Sequence, residues 1–295
     1  MSRYRWSADC DSLRSLQSIP AMIAAPAIIV FDSGLGGLTV FREVAAARPD
    51  ARFVYAADDA FFPYGRQDEA TLVARVLHVM EQLIAEHRPD LVVVACNTAS
   101  TLVLAPLREK FQVPFVGTVP AIKPACSSSS SRLVSVLGTE ATVKREYTRK
   151  LIREHGNDCA LTLVGSPRLA ELAEAALKGE TVTDDEIADE IAPCFVEAEG
   201  ARTDTVVLAC THYPLVLDHL ERLAAWPVKW IDPAPAISRR VVDLLGPPAP
   251  GAASLPARAV FTSGRLPAPM LAAALARFGL AERLQPVFDT PRKYP

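Results

Sequence analysis

Residues 91–100 read LVVVACNTAS, and residues 205–215 read TVVLACTHYPL. In both stretches an unbroken apolar run ends in Ala-Cys, and small polar or hydrogen-bonding side chains follow the cysteine. Unbroken apolar runs of four or five residues are typical of parallel strands that are buried on both faces. The two stretches therefore predict two equivalent strands that end at Cys96 and Cys210.

Strand and helix patterns alternate outward from these two stretches. The predicted strands are at residues 27–31, 52–56, 91–95, 115–119, 133–137, 161–164, 205–209 and 228–231, and one more is expected at 260–262. The main predicted helices between them are Leu38–Ala47, Glu69–His87, 142–155 and 215–223. A further pair of helices is predicted between 165 and 204, and the second of them opens with a Thr183–Glu186 capping box. A strand–helix–strand order of this kind favours α/β architecture with parallel sheets.

The second half of the chain repeats the pattern of the first half. Residues 92–98 (VVVACNT) parallel 206–212 (VVLACTH), and residues 28–34 loosely parallel 134–139. The expected fold class is therefore α/β, with two pseudo-symmetric parallel-sheet lobes from an internal duplication and the active site between them. Residues 27–120 together with 232–295 are predicted to form lobe A, and 121–231 lobe B. Residues 1–26 are predicted to be a disordered N-terminal extension.

Composition excludes several classes of protein. The 295 residues are 50% hydrophobic, which allows a sizeable core, and the formal net charge of −3 does not suggest a nucleic-acid-binding chain. No apolar run approaches the roughly 18 residues of a membrane span, and the first twenty residues lack the apolar core of a secretory signal. A cytoplasmic protein with reduced thiols is expected. Its partner is expected to be a small molecule, with no nucleic acid and no membrane, and the sequence leaves a homodimer open.

Cys96 and Cys210 are the first candidates for chemistry. Each follows a predicted strand and precedes a predicted helix, and ligands of open α/β sheets bind at this carboxyl edge of the strands. A helix N-terminus stabilises anions and lowers the pKa of a thiol from about 8.5. The alternative is that both are buried cysteines acting as small hydrophobic residues. Two cysteines in matching contexts favour the functional interpretation.

A glycine-rich turn and a histidine are further candidates. The turn is Asp32-Ser-Gly-Leu-Gly-Gly37, which is neither a dinucleotide fingerprint nor a P-loop. Its backbone N–H groups could hold a carboxylate, and Asp32 could act as or orient a base, although an ordinary capped turn has the same pattern. His212 could protonate a substrate or tune Cys210, but a lone histidine is more often structural. No histidine and cysteine spacing fits zinc, so no metal site is expected.

Taken together, these motifs resemble the glutamate racemase family within the aspartate/glutamate racemase superfamily. The matching segments, in the family's order, are residues 29–39 (IVFDSGLGGLT), 63–65 (PYG), 95–99 (ACNTA), 138–142 (GTEAT) and 209–215 (ACTHYPL). The resemblance spans about residues 28–245. As a set the segments are highly specific, whereas any one of them alone would be weak.

The resemblance implies roles for individual residues. Cys96 and Cys210 correspond to the two catalytic acid/bases, with Asp32 near the first and His212 near the second. The positions that would bind the amino acid are Asp32, Ser33, Pro63, Tyr64, Gly65, Asn97, Thr98, Thr139, Thr142, Thr211 and His212. The family needs neither pyridoxal phosphate nor metal, and it supplies D-glutamate for bacterial peptidoglycan. In it, Cys210 would deprotonate L-glutamate and Cys96 D-glutamate.

The chain departs from the family pattern in two places. The family often has Cys-Pro followed by a glutamate that supports the histidine, whereas this chain has Ser166-Pro167. Glu174 is the best match for that glutamate. The loop at residues 57–62 (ADDAFF) is also more apolar than is usual before Pro-Tyr-Gly.

Other functions remain in competition with this interpretation. Aspartate racemases of the same superfamily commonly carry Glu two residues after the second cysteine, so His212 favours glutamate. A single-cysteine decarboxylase relative is disfavoured because both cysteines are present. A non-catalytic amino-acid-binding regulator with the same pocket is compatible with the sequence. Polarimetry with L-glutamate discriminates between these functions.

The first twenty residues are polar with scattered apolar positions, and their burial cannot offset an ordering entropy of roughly 1–2 kcal/mol per residue. We predict that they are mobile and dispensable and that Met22 is the natural start. A chain shortened to begin at Met22 should keep its melting temperature, oligomeric state and activity. The competing structure is an amphipathic helix through Leu13, Leu16 and Ile19, and a marked loss of any of the three properties would support it.

Overall fold

The computed structural model describes residues 25–156, 158–251, 253–280 and 285–286. The expectations for residues 1–20 and for Met22 lie outside these described residues. Within them, no helix is both long enough and apolar enough to cross a bilayer.

The apolar runs identified in the sequence form strands. In chain order the strands are β1 (Ala27–Asp32), β2 (Arg52–Ala57), β3 (Leu91–Val94), β4 (Phe115–Gly117), β5 (Leu133–Thr139), β6 (Ala160–Ser166), β7 (Glu197–Ala198), β8 (Ala201–Arg202), β9 (Thr205–Ala209), β10 (Lys229–Ile231), β11 (Arg258–Phe261) and β12 (Gln285–Pro286). Every residue of β1, β3 and β9 is buried, as expected for strands covered on both faces.

Helices connect and cover these strands. They are α1 (Leu38–Ala47), α2 (Glu69–His87), α3 (Asn97–Lys110), α4 (Ile122–Ser128), α5 (Glu140–Lys144), α6 (Glu146–His155), α7 (Leu169–Leu177), α8 (Asp184–Ile191), α9 (Leu217–Leu223), α10 (Ala234–Leu245) and α11 (Pro269–Arg277). Short 3₁₀ turns lie at Asp59–Phe61, Tyr64–Arg66, Ala192–Cys194 and Tyr213–Val216.

Ten of the twelve described strands build two parallel sheets, and β7 and β8 form a short antiparallel pair. Sheet A has the order β12-β11-β2-β1-β3-β4, and sheet B has the order β6-β5-β9-β10. The segment β2-β1-β3-β4 of sheet A therefore has the same order as the whole of sheet B. Strands β1 and β3, which precede the glycine-rich turn and Cys96, occupy the places that β5 and β9 occupy in sheet B. The predicted fold class, two parallel-sheet α/β lobes, is confirmed, and the lobe boundaries at 120 and 231 stay a prediction.

Alternating side chains of β1 enter two different cores in lobe A. Ile28 and Val30 join a cluster with buried residues of α1 and α10, whereas Ile29 and Phe31 join a cluster with α2 and α3. Because strand side chains alternate between faces, each sheet face receives its own layer of helices. The return of α10 to α1 brings the chain back from sheet B to sheet A.

Lobe B repeats this layering with shorter helices. One face of sheet B packs on α7, α8 and α9, and the other packs on α4 and α6. The predicted capping box is confirmed, because the Thr183 side chain accepts from the Glu186 backbone N–H while the Glu186 side chain accepts from the Thr183 N–H. This cap fixes the start of α8.

Three predicted elements differ in detail. The helix expected at 142–155 is two helices, because Arg145 between them has an extended conformation (φ −71°, ψ 143°). The five serines at 127–131 predict a polar loop by composition, but the first two of them belong to α4, which continues to Ser128. The segment after Cys210 begins as a 3₁₀ turn with Pro214 in its first turn, and regular α-helix starts only at Leu217.

Candidate active site

A small cavity lies where the carboxyl ends of the two sheets meet. It has a volume of about 20 Å³, which is room for roughly one water molecule. Its walls come from both lobes. They are formed by Ser33, Phe62, Pro63, Tyr64, Gly65, Cys96, Asn97, Thr98, Thr139, Ala170, Cys210, Thr211 and His212. Cys96 follows β3 of lobe A and Cys210 follows β9 of lobe B, so each lobe contributes one thiol to the cavity.

Most of the residues predicted from the sequence lie in these walls, and three do not. Asp32, Thr142 and Glu174 are buried one layer behind them. Each of the three is hydrogen-bonded to a wall residue, so they orient the wall in this structure. Two wall residues, Phe62 and Ala170, were not predicted.

Cys210, His212 and Glu174 form a chain of polar contacts. His212 Nδ1 lies 3.7 Å from the Cys210 Sγ, and His212 Nε2 lies 3.0 Å from the Glu174 Oε1. The His212 and Glu174 side chains are 3% and 7% exposed, which keeps water from screening their interaction. The Phe62 ring also packs against the imidazole at a centroid distance of 5.3 Å. The predicted proximity of Glu174 to His212 is therefore present in the structure.

The contacts of His212 with Cys210 and Glu174 favour its protonated form. Burial alone would lower the pKa of His212, but contacts with Cys210 and Glu174 outweigh burial and raise the pKa well above its usual value. Burial would raise the pKa of Glu174, but the hydrogen bonds and charges of His212 and Lys178 lower it to about 2. Both contacts therefore favour the protonated imidazole, which can donate from both ring nitrogens. An anion on the Cys210 sulfur would lie next to this charge.

Cys96 has a different environment. Burial, and after it the charge of Asp32, raise the pKa of Cys96 to about 12, against hydrogen bonds from the Ala99 backbone and the Ser33 side chain. The expectation that the N-terminus of α3 lowers this pKa is wrong for Cys96. The thiol is 5% exposed, and the dipole of one helix does not offset that desolvation. Cys96 is therefore a protonated thiol at neutral pH.

The glycine-rich turn is held by carboxylates of the protein. The Gly34 N–H donates to Asp32 Oδ2 at 3.0 Å, and the Leu35 N–H donates to Glu174 Oε1 at 2.8 Å. These two N–H groups are thus already engaged, in contrast to the expectation that they face a ligand. A Cβ on Gly34 would lie 2.1 Å from Glu174 Oε1, so the approach of Glu174 requires glycine there.

Hydroxyl groups join the two lobes around the cavity. Thr98 Oγ1 of lobe A lies 3.0 Å from the Oγ1 atoms of both Thr139 and Thr142 of lobe B. On the opposite side, the Thr211 hydroxyl donates to Asp32 Oδ1 at 3.1 Å. Burial raises the pKa of Asp32, and the charge of His212 and these donors act against that rise. The threonines therefore fix the distance between the two walls.

Asn97 has no hydrogen-bond partner among the described residues. Both its Nδ2 and its Oδ1 are buried, and the residue is 2% exposed in the cavity wall. A buried polar group without a partner costs about 1–3 kcal/mol. An amide that can donate and accept and that lines the same cavity as the two thiols is suited to hold a polar ligand.

A second cavity of about 150 Å³ adjoins the first. The two share Pro63, Gly65, Thr139 and Ala170 as walls. Arg66 of lobe A and Glu171 of lobe B form an ion pair of 2.6 Å at its rim, and both also line it. Because the pair is solvent-exposed, it contributes little to stability and can open readily. The outer cavity is therefore a route to the inner one.

The residues missed by the sequence analysis left different signals. Phe62 directly precedes Pro63-Tyr64-Gly65, so its position next to a recognised motif was a usable signal. Ala170 lies in the first turn of α7 and has no chemical feature that marks it. Arg66 and Glu171 are far apart in the chain, and nothing in the sequence pairs them.

A protein-family comparison identifies the group to which this architecture corresponds. The family described as Asp/Glu/Hydantoin racemase matches residues 38–241. This range contains both cysteines and most of the residues of the cavity walls.

Individual relatives and solved structures agree with the family. The glutamate racemase of Brucella anthropi is 54% identical over 234 residues, covering 79% of this chain and 84% of the relative. The glutamate racemase of Sinorhizobium medicae is 55% identical over 241 residues, covering 81% and 89%. The crystal structure of Escherichia coli glutamate racemase with L-glutamate and the activator UDP-MurNAc-ala is 39% identical, with a TM-score of 0.79 and coverage of 87% and 96%.

The contact between Glu174 and His212 leads to a direct prediction. Glu174→Gln should lower the pKa of His212 by about 1–2 units, because a charge-assisted hydrogen bond contributes roughly 1.5–3 kcal/mol. Histidine ring signals followed by NMR across a pH titration measure this change. Glu186→Gln is the matched control, since glutamine preserves its capping box and Glu186 is remote from His212. An unchanged His212 pKa in Glu174→Gln would contradict the conclusion that Glu174 raises the pKa of His212.

Proposed function

The chain belongs to the Asp/Glu/Hydantoin racemase family, and we propose that it is a glutamate racemase that works with two cysteines and no cofactor. The observation that carries the proposal is that Cys96 and Cys210, one from each lobe, line the same cavity. The identity of 54% to a glutamate racemase supports glutamate as the substrate. His212 supports it as well, since aspartate racemases commonly have Glu at this position.

The first step removes the α-proton of L-glutamate. In the proposed mechanism the Cys210 thiolate takes the proton, and the electron pair of the broken C–H bond stays on the α-carbon. His212 supports this step because its positive charge stabilises the thiolate before the proton arrives. General bases positioned in this way contribute about 10²–10⁴-fold to the rate.

The second step returns a proton to the opposite face. Cys96 is a thiol in the resting site, so it can donate its proton to the α-carbon and form D-glutamate. Cys210 is then a thiol and Cys96 a thiolate, which is the form that acts on D-glutamate. Two groups on opposite walls avoid the need for one base to cross the plane of the substrate.

The polar wall residues would hold the two carboxylates and the amino group. The N-terminus of α3, at Asn97 and Thr98, presents backbone N–H groups and a favourable helix dipole to an anion. The Asn97 amide, which lacks a partner among the described residues, would gain one from the substrate. Ser33, Thr139 and Thr211 would supply hydroxyl groups. The cavity must widen to admit glutamate, and parting of the walls towards the outer cavity supplies that space.

The proposed biological role follows from the product. D-Glutamate produced in the cytoplasm would supply bacterial peptidoglycan synthesis. Polarimetry of the purified protein with L-glutamate tests the activity, and the same measurement with L-aspartate tests the alternative substrate. We expect the optical rotation to decay with L-glutamate and to stay constant with L-aspartate.

Cysteine variants test the two-base mechanism. Cys96→Ala and Cys210→Ala should each lower kcat for racemisation by about 10²–10⁴-fold, because each removes an acid/base group needed in both directions. Circular dichroism follows both the reaction and the folded state. Cys159→Ala, a half-buried cysteine remote from the cavity walls, is the matched control and should remain active. Near-normal turnover in either cavity variant would rule out two-base catalysis.

Solvent isotope labelling tests whether each base serves one face. When L-glutamate reacts in D₂O, the D-glutamate formed should carry deuterium at the α-carbon from the start. The remaining L-glutamate should gain little label early, because Cys96 donates its exchanged deuteron to the other face. Chiral separation followed by mass spectrometry measures both pools. Rapid labelling of L-glutamate before D-glutamate appears would indicate one exchanging base.

A further inference from the structure

The cavity wall contributed by residues 62–65 has little structure of its own. It lies in two single 3₁₀ turns, Asp59–Phe61 and Tyr64–Arg66, joined by Phe62 and Pro63. Single 3₁₀ turns have few internal hydrogen bonds and poor hydrogen-bond geometry. The position of this wall must therefore be set by contacts beneath it.

Asp58 makes those contacts. Its carboxylate is fully buried and accepts hydrogen bonds from three side chains. The Arg75 Nη2 donates to Oδ1 at 2.6 Å, the Thr262 hydroxyl donates to Oδ1 at 2.6 Å, and the Tyr64 hydroxyl donates to Oδ2 at 2.6 Å. One carboxylate thus joins the end of β2, helix α2, the end of β11 and the wall residue Tyr64.

Neighbouring contacts strengthen the junction with β11. The Ala60 N–H donates to the Thr262 hydroxyl oxygen at 3.3 Å, and the Ser263 N–H donates to Asp59 Oδ1 at 2.9 Å. The first 3₁₀ turn is therefore tied directly to the end of β11, and the second is tied to it through the Tyr64 contact with Asp58. Thr262 does not line the cavity, so its contact with Asp58 is separate from the cavity wall.

Stability alone does not explain a buried ion pair here. The Asp58 and Arg75 side chains are 0% and 7% exposed. Removing two charges from water costs nearly as much as their attraction returns, and apolar replacements of such pairs are often neutral or stabilising. The pair instead fixes an orientation. The bidentate Arg75 guanidinium orients the Asp58 carboxylate, and this carboxylate holds Tyr64.

We propose that Asp58 is a positioning residue of the racemase site, which fixes the Pro63-Tyr64-Gly65 wall against bound glutamate. The proposal rests on the proposed function. Asp58 is fully buried and does not line the cavity, so it acts through Tyr64, whose hydroxyl donates to it. Misplacement of this wall weakens substrate binding more than proton transfer, because the wall holds the substrate and the two thiols lie on other segments.

The chain contains a matched pair for comparison. Arg48 and Asp50 form a second ion pair in lobe A, with Nη2–Oδ2 and Nε–Oδ1 distances of 2.8 and 2.9 Å. The Arg48 side chain is 4% exposed. This pair precedes β2 and therefore lies at the opposite edge of sheet A from the cavity. The Asp50 side chain is 14% exposed, so Asp50→Asn perturbs a bidentate contact that is partly buried, without touching the wall.

The test uses Asp58→Asn, Thr262→Val and Thr262→Ser in the full-length enzyme. Thr262→Val keeps the shape of the side chain and removes the hydroxyl donor, whereas Thr262→Ser keeps that donor. Asp58→Asn and Thr262→Val should raise KM for glutamate about tenfold, with kcat within about threefold of the parent. They should also accelerate amide hydrogen exchange in residues 59–66. Thr262→Ser should restore normal KM and exchange.

Each possible result is informative. Asp50→Asn should lower the melting temperature and leave both KM and the exchange of residues 59–66 unchanged. An unchanged KM and exchange in Thr262→Val would overturn the proposal, as would an equal rise of KM in Asp50→Asn. If Asp58→Asn does not fold, the comparison of Thr262→Val with Thr262→Ser tests the proposal. If the parent enzyme does not racemise glutamate, the proposed function fails, and the exchange measurement still reports whether Asp58 holds the wall.

Discussion

The structure depends on one constraint: the polar ends of two buried parallel sheets face each other, and each supplies the hydrogen-bond partners of the other. Glu174 of lobe B accepts from the Leu35 N–H of lobe A, and Thr211 of lobe B donates to Asp32 of lobe A. Buried polar groups without partners would be costly, so the lobes are held in register by the groups that surround the cavity. The fully buried apolar residues of each lobe form separate cores, and Leu177 of α7 in lobe B packs against one core of lobe A.

The same contacts make the two thiols unequal. Cys96 follows β3 beside the carboxylate of Asp32 and is buried, whereas Cys210 lies beside a histidine that Glu174 keeps charged. Two strands in equivalent topological places thus end in opposite electrostatic environments. The internal repeat supplies two matching positions for sulfur, and Asp32, His212 and Glu174 give them different surroundings.

The sequence was sufficient for nine of the ten described strands of the two parallel sheets, for most helices and for most of the cavity wall, but not for β7, β8 and β12. Apolar runs such as Leu91–Val94 have one plausible burial pattern in an α/β protein, and the motifs that carried the resemblance are contiguous in the chain. Properties that depend on distance in space were not predictable. The pKa of Cys96 depends on its burial as well as on the dipole of α3, and the break at Arg145 depends on tertiary contacts. Asp58 belongs to a loop that stood out for its apolar residues, yet its partners Arg75 and Thr262 are 17 and 204 residues away in the sequence.

The unequal thiols have a consequence for the enzyme between turnovers. Under the proposed mechanism, conversion of L-glutamate leaves the free enzyme with Cys96 as thiolate and Cys210 as thiol, which is the form that acts on D-glutamate. The protonation states of the two cysteines therefore depend on which enantiomer the enzyme last released. Return of the free enzyme to its first protonation state requires a proton to pass between the two sulfurs in a site with room for about one water. At high substrate concentration the enzyme would then cycle between two free forms whose exchange limits the rate. Because the enantiomers have equal free energy, kcat/KM must nevertheless be the same in both directions, and the asymmetry of the site can show itself only when the enzyme is saturated.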